Sequence, residues 1–141
     1  MTKTLIPVTD LVEQYTEDLC DVLGKQYIRY TIGHYERDLA RGEGSDYSVN
    51  KLKALQNGTE DDVITFKVVS GRKYHKIVQV ERDGRESSVH AFVDKKTGAV
   101  YKPASWKSPH TKYVRFNLLD EQSRAECFER ADWAGGYLYL R

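Results

Sequence analysis

The segment between positions 95 and 119 has the residue types needed to bind a negatively charged ligand that contains an aromatic ring. It carries six lysine or arginine residues and no aspartate or glutamate. Four aromatic residues are interleaved with these charges: Tyr101, Trp106, Tyr113 and Phe116. Lysine and arginine supply charge and hydrogen-bond donors to phosphate, and tryptophan and tyrosine rings stack on nucleobases. The segment therefore predicts a site for nucleic acid or a nucleotide.

Each candidate residue has an expected role in such a site. Asn117 is expected to read a polar edge of the ligand, and Trp106 and Tyr113 are expected to stack on a base. The residues expected to contact phosphate are the basic ones from position 102 onward, Lys102, Lys107, Lys112 and Arg115.

Two other interpretations of this segment stay open. Lys95 and Lys96 precede a hairpin glycine, so they can be solvated turn residues, while Trp106 and Phe116 can pack beneath a long loop. The same residues can also form a protein interface. Neither alternative needs a phosphate-bearing ligand.

The sequence gives little support to catalytic chemistry. It has no G-x-S-x-G elbow and no glycine-rich phosphate loop. Cys20 and Cys127 lack the spacing of zinc ligands, and we expect two reduced, partly buried thiols. We therefore predict no catalytic residues, no metal site and no cofactor.

The histidines are the remaining candidates for acid–base or metal chemistry. His34 and Glu36 have the H-x-E spacing of zinc deaminases, but the cysteine partners of that motif are absent, which favours a histidine on a helix surface. His75 and His90 fall in predicted strands and can face each other across a hairpin. We expect a solvent-facing pair there rather than a metal or catalytic pair.

Length and composition predict one domain spanning residues 1–141. The chain is 40% hydrophobic and 11% aromatic, which is typical of a folded protein. The N-terminus has no secretory apolar region, and no apolar run approaches the roughly 18 residues that span a bilayer. We expect a cytosolic protein with no membrane partner.

The elements that position the segment are predicted to form an α+β fold with N-terminal helices, a four-stranded antiparallel β-meander and a C-terminal helix. Apolar residues recur at spacings of three and four from Leu11, so a helix capped by Thr9 or Asp10 is expected to continue to about Arg41. A second helix, capped by Ser45, Asp46 or Ser48, is expected to end at Asn57-Gly58. The helical part is thus 9–57.

Alternating β-branched residues and glycine turns predict the sheet within 63–102. Its strands are expected at 63–69, 73–81, 86–94 and 99–102. Residues 103–117, with two prolines, are predicted to be the basic loop. Residues 118–141 are predicted to form a helix to about Ala131, capped by Asn117 or Asp120, and an aromatic tail that docks on the sheet or on a neighbouring subunit.

Residues 90–117 resemble a segment found in small proteins of tailed bacteriophages, including cyanophages. The shared pattern is F-[VI]-D-x-x-x-G-x-V-x-K-x-A-[ST]-[WY]-K-x-P followed by an arginine and an asparagine; this chain has Phe92-Val-Asp through Pro109, then Arg115 and Asn117. The resemblance implies a phage origin and no reaction. It also implies a shared surface formed by Lys102, Ser105, Trp106, Lys107, Pro109, Arg115 and Asn117. Phe116 stands where the pattern commonly has a small residue.

Together these observations predict a non-enzymatic phage accessory protein that binds nucleic acid or a nucleotide in the host cytoplasm. The alternative is a virion or host-takeover protein that acts through protein contacts, with the first helix and the tail as interfaces. That alternative includes host or virion proteins as partners and a homo-oligomer.

Overall fold

The structure, a computed structural model that describes residues 6–139, is built on one long helix and one antiparallel sheet. Helix α1, Val8–Ala40, has 33 residues and continues through both Gly24 and Gly33. Its end agrees with the predicted continuation to about Arg41. Val12, Leu19 and Leu23 are completely buried, so the apolar stripe faces the core as expected.

The start of α1 differs from the prediction. Pro7, rather than Thr9 or Asp10, precedes the first helical residue, and no side chain from residues 6–139 caps the helix. The carbonyl oxygen of Pro7 accepts hydrogen bonds from the N–H groups of Asp10 and Leu11 at 3.0 and 3.1 Å. Proline already has a φ close to the helical value, here −56°, so it can begin the helix without a polar cap.

The two shorter helices begin and end as their sequences predict. Helix α2, Asp46–Asn57, is capped by Ser45, whose side chain accepts a hydrogen bond from the N–H of Ser48, and it ends at Gly58 with φ of 72°. Helix α3, Glu121–Arg130, is capped by Asp120, whose carboxylate accepts hydrogen bonds from two N–H groups of the first turn.

Within the described residues, the sheet has five antiparallel strands that lie in chain order. They are β1 (Thr65–Ser70), β2 (Tyr74–Val80), β3 (Glu86–Asp94), β4 (Ala99–Tyr101) and β5 (Phe116–Asn117). The predicted α+β class is confirmed, but the count of four strands is wrong. The last two residues of the predicted loop return beside β4, where Phe116 pairs with Val100 and Asn117 with Ala99.

Strand β3 carries an extra residue in the middle of the sheet. Ile77 of β2 is opposite Ala91, but the next residue, Val78, is opposite Val89. His90 is therefore a bulged residue without a partner in the register. Bulges turn a side chain away from its regular direction and are common beside functional sites.

The core lies between α1 and the sheet, and the C-terminal residues close one side of it. Leu138 is buried, and Trp133 packs edge-to-face against Tyr27 of α1 with ring centroids 5.3 Å apart. The N–H of Trp133 also donates to the side chain of Gln26 at 2.8 Å. The tail thus docks on its own helix and sheet, the first of the two predicted arrangements. Between positions 6 and 139 the structure contains no helix of the length and hydrophobicity required for a transmembrane span.

Candidate ligand-binding surface

The predicted basic loop is an ordered excursion between β4 and β5. Pro103 and Pro109 face each other in an antiparallel bridge, and the N–H of His110 donates to the carbonyl of Lys102 at 2.8 Å. At the far end, the N–H of Arg115 donates to the carbonyl of Val100, also at 2.8 Å. These bonds fix both ends of the loop to the edge of the sheet.

Ser105 builds the turn at the tip of this loop. Its hydroxyl oxygen accepts hydrogen bonds from the N–H groups of Lys107 and Ser108, both at 3.2 Å. The turn presents Trp106 and Lys107 to solvent, and Trp106 is 48% exposed. Ser105 therefore positions its neighbours, and its oxygen is already used by the backbone.

A second exposed part of the loop brings two cations to one ring. Tyr113 is half exposed, with the ammonium of Lys112 5.4 Å and the guanidinium carbon of Arg115 5.9 Å from its ring centroid. The neighbouring Val114 is also 50% exposed. A tyrosine ring with two cations close to it is suited to stack on a base whose phosphates lie nearby.

Arg115 has a structural task in addition to the predicted one. Its Nε donates to the carbonyl of Leu138 at 2.5 Å, and its Nη1 donates to the carbonyl of Tyr113 at 2.8 Å. The guanidinium therefore ties the C-terminal residues to the loop. It is half-buried, and only part of its donor set faces outward.

Lys102 lies over an aromatic ring that the sequence did not identify as part of the site. Its ammonium is 4.3 Å from the centroid of Tyr139, a ring that is 57% exposed. This contact joins the start of the loop to the C-terminal residues. We use the name basic-aromatic surface for the set Lys102, Trp106, Lys107, Lys112, Tyr113, Arg115 and Tyr139.

Asn117 is drawn into the sheet rather than presented on this surface. Its side-chain oxygen accepts a hydrogen bond from the N–H of Leu119 at 2.8 Å, and its own N–H donates to the hydroxyl of Ser123 at 2.8 Å. The oxygen expected to read a ligand edge thus stabilises the turn between β5 and α3. We leave Asn117 out of the basic-aromatic surface for this reason.

A cleft of about 670 Å³ adjoins the surface between β5, α3 and the C-terminal residues. Arg115 and Arg130 line it together with Glu126, which lies 3.0 Å from Arg130, and Asp132. Both oxygens of Asp132 accept backbone hydrogen bonds, from Ala134 and from Tyr137. The cleft has the volume typical of small-molecule sites.

His75 and His90 are both buried, so the expected solvent-facing pair is wrong. His75 is opposite Val93, and its Nδ1 lies 2.7 Å from the hydroxyl of Ser70. Burial and the positive charge of Lys95 lower the pKa of His75. The regular alternation of β2 turns His75 inward, whereas the bulge in β3 redirects His90. Each imidazole therefore contacts a different hydroxyl, that of Ser70 or that of Tyr137, rather than the other imidazole.

His90 forms a buried hydrogen-bonded pair with a tyrosine from the C-terminal residues. Its Nε2 is 2.8 Å from the hydroxyl of Tyr137. Burial lowers the pKa of His90 to about 4 and raises the pKa of Tyr137 well above its usual value, so both are neutral near pH 7. Sequence reasoning missed this pair, because the two residues are 47 positions apart and no spacing links them.

The thiols and His34 are located as the sequence indicates. Cys20 and Cys127 are free and buried, and burial raises the pKa of each to about 12. His34 is exposed on α1, 3.4 Å from Asp38. Across residues 6–139, no three His, Cys, Asp or Glu side chains come together in a way that could hold a metal ion.

Comparison with known proteins identifies a family but no characterised relative. A family model described as "Family of unknown function (DUF7717)" matches residues 6–140. No curated protein and no solved structure matches the chain.

Proposed function

The chain belongs to the DUF7717 family, and we propose from its own geometry that it is a non-enzymatic protein that binds a nucleotide or single-stranded nucleic acid through the basic-aromatic surface. Lys102, Lys107 and Lys112 contact phosphates, and Trp106 and Tyr113 stack on bases. The resemblance of residues 90–117 to bacteriophage proteins supports a role as a phage accessory protein in the host cytoplasm.

One observation carries the proposal: aromatic rings stand half exposed beside lysines in a segment without carboxylates. Trp106 is 48% and Tyr113 is 50% exposed, and each has a lysine as its neighbour in sequence. Leaving such rings in water forgoes the stabilisation that burial would give. Stacking one base on such a ring contributes roughly 1–3 kcal/mol, and the adjacent lysines attract the phosphates.

The neighbouring cleft supports a ligand of nucleotide size. It extends the basic-aromatic surface through Arg115 and Tyr139, while Arg130 in the same cleft is paired with Glu126. The strand histidines, His75 and His90, are only 3% and 8% exposed, and the proposal is therefore binding rather than catalysis.

Fluorescence anisotropy with a labelled single-stranded oligonucleotide tests the proposal. Affinity should fall by several-fold or more as salt rises from about 50 to 200 mM, because counterions are released when lysines contact phosphates. Lys107→Glu and Trp106→Ala should each weaken binding. Lys53→Glu makes the same charge change on an exposed position of α2 and serves as the matched control.

Two results would remove the proposal. One is the lack of any binding to oligonucleotides or mononucleotides at low salt. The other is an affinity that Lys107→Glu and Lys53→Glu reduce equally, because net charge rather than the basic-aromatic surface would then account for it.

A second candidate function is protein contact, as a virion or host-takeover protein or as a homo-oligomer. Val114, which is 50% exposed beside Tyr113, favours it, since an apolar side chain contributes nothing to phosphate binding. This candidate predicts a complex or oligomer in light scattering that is insensitive to salt and is lost in Val114→Ser. Removing the C-terminal residues would not test it, because Trp133, Tyr137 and Leu138 pack in the core of the same chain.

A further inference from the structure

A second, smaller cavity lies between the sheet, the start of the loop and the C-terminal residues. Its volume is about 120 Å³. The lining residues that matter here are Ser88, His90, Lys102, Gly135 and Tyr139. Lys102 and Tyr139 also belong to the basic-aromatic surface, so the cavity opens beside it.

His90 presents one edge of its ring to this cavity. The side chain is only 8% exposed, and its Nε2 is occupied by Tyr137. Nδ1 lies on the ring edge that faces Gly135, another residue of the cavity wall. The bulge in β3 gives the imidazole this direction, because a regular strand would have placed His90 in register with β2.

Gly135 keeps that edge of His90 open. Its φ of 85° lies in the left-handed region that favours glycine, and a β-carbon there would come within 3.9 Å of Nδ1 and 3.7 Å of Cε1 of His90. Any other residue at position 135 would therefore fill the space in front of the imidazole.

The polar groups around the cavity are suited to donate hydrogen bonds. When the Tyr137 hydroxyl donates to Nε2, the proton of the neutral imidazole resides on Nδ1 and faces the cavity. Lys102, whose ammonium lies 4.3 Å from the ring centroid of Tyr139, and Ser88 also line the cavity, and both side chains carry hydrogen-bond donors. A ligand that only accepts hydrogen bonds and carries negative charge matches this set.

We infer that this cavity is the subsite for a terminal phosphate of the ligand held on the basic-aromatic surface, an inference that rests on the proposed function. A water molecule in the liquid occupies about 30 Å³, so a cavity of this size holds a phosphate group but excludes a nucleoside. Asp132, whose charge also acts on His90, has both oxygens occupied by backbone N–H groups, which reduces its repulsion of an anion. Lys102 connects the subsite to the surface on which the rest of the ligand lies.

The test compares one oligonucleotide with and without a terminal phosphate, at its 5′ and its 3′ end. The wild-type protein should prefer one phosphorylated end by roughly tenfold, the value of one charge-assisted hydrogen bond. Ser88→Ala and Gly135→Ala should abolish the preference and leave binding of the unphosphorylated strand intact. Gly84→Ala has the same left-handed strain, φ 88°, with no atom nearby, and is the matched control.

A titration with inorganic phosphate tests the subsite without nucleic acid. The ring resonances of His90 should shift saturably as phosphate is added to the wild-type protein, and not in Gly135→Ala or Ser88→Ala. Equal affinity for phosphorylated and unphosphorylated strands overturns the inference and leaves the proposed function standing. If no strand binds, the proposed function fails, and the response of His90 to phosphate alone decides the subsite: a saturable shift supports it and no shift overturns it.

Discussion

The guanidinium of Arg115 is bonded to the backbone carbonyl of Leu138, with Nε and the oxygen 2.5 Å apart. The residue that the sequence offers as a phosphate contact is thus also the link between the loop and the C-terminal residues. Its two roles can be separated, because stability and ligand affinity are measured independently. Arg115 is for this reason a poor first choice for testing ligand binding, and Lys107 is a better one.

Replacing Arg115 should destabilise the protein in the absence of any ligand. Arg115→Ala removes two hydrogen bonds from a charged donor, and we expect the free energy of unfolding to fall by roughly 1–3 kcal/mol. Urea denaturation followed by circular dichroism measures this change. Lys112→Ala, which removes an exposed cation from the same ring, should leave stability within about 0.5 kcal/mol of wild type. Equal stability of the two variants would show that the hydrogen bonds of Arg115 to Leu138 and Tyr113 do not stabilise the fold.

Acid should destabilise the protein through His90. The pKa of this side chain falls from 6.5 to about 4 on folding, so the unfolded chain binds the extra proton first. This contribution to the free energy of unfolding is fully present above the pKa of the unfolded state, 6.5. It is lost as the pH falls toward the pKa of the folded state, about 4, and the total loss is roughly 3 kcal/mol. His90→Gln, which is neutral throughout, should show a flatter profile between about pH 7 and pH 4.

Denaturant midpoints across this pH range measure the His90 contribution. His34→Gln is the control, because His34 lies on the exposed side of α1. It should follow the wild-type profile. A His90→Gln profile as steep as that of wild type would show that other groups cause the acid sensitivity.

Gly98 should tolerate no side chain, because it combines a left-handed backbone with close neighbours. Its φ is 75°, and a β-carbon would meet the Cγ of Leu119 at 3.0 Å and the side-chain oxygen of Asn117 at 3.2 Å. We expect Gly98→Ala to lower the free energy of unfolding by roughly 2–4 kcal/mol. Gly84→Ala has the same strain in open space and should cost about 1 kcal/mol. Similar losses in the two variants would rule out the close approach as a cause.

The two cysteines should resist thiol reagents while the protein is folded. Burial raises the pKa of Cys20 and Cys127 to about 12, and the thiolate is the form that reacts. Near pH 8, modification by a disulfide reagent should be more than roughly a hundredfold slower than in urea. Single Cys→Ser variants assign any reaction to one site. Rapid modification of either thiol by the reagent in the folded protein would contradict the burial of that cysteine.

The regular part of the fold was predictable because local signals agree with the tertiary structure. Strand β3 has the predicted bounds, Glu86–Asp94, since this segment lies between two glycine turns, at Asp83-Gly84 and at Gly98. Strand β5 was missed because two residues carry no periodicity, and only the return of the chain beside β4 makes them a strand. Pro7 was missed as a helix start because a polar cap is the commoner signal.

The candidate site was predictable in its residue types but not in its contacts. Exposed rings and lysines are a matter of composition, whereas the oxygens of Ser105 and Asn117 are engaged by bonds that depend on how the backbone turns. Tyr139 reaches Lys102 only because the C-terminal residues fold back over the loop. His90 is aimed by a bulge, and bulges have no reliable signature in a single sequence.

The hydrogen bond between Trp133 and Gln26 spans 107 positions, in contrast to a sheet in which every strand pairs with its neighbour in sequence. Hairpins of this kind nucleate from nearby residues, whereas joining Gln26 to Trp133 requires closing a loop of 107 of the 141 residues. The meander is therefore expected to form early in folding, and the hydrogen bond between Trp133 and Gln26 is expected to form late. Weakening this hydrogen bond should increase the rate of unfolding and leave the rate of refolding almost unchanged.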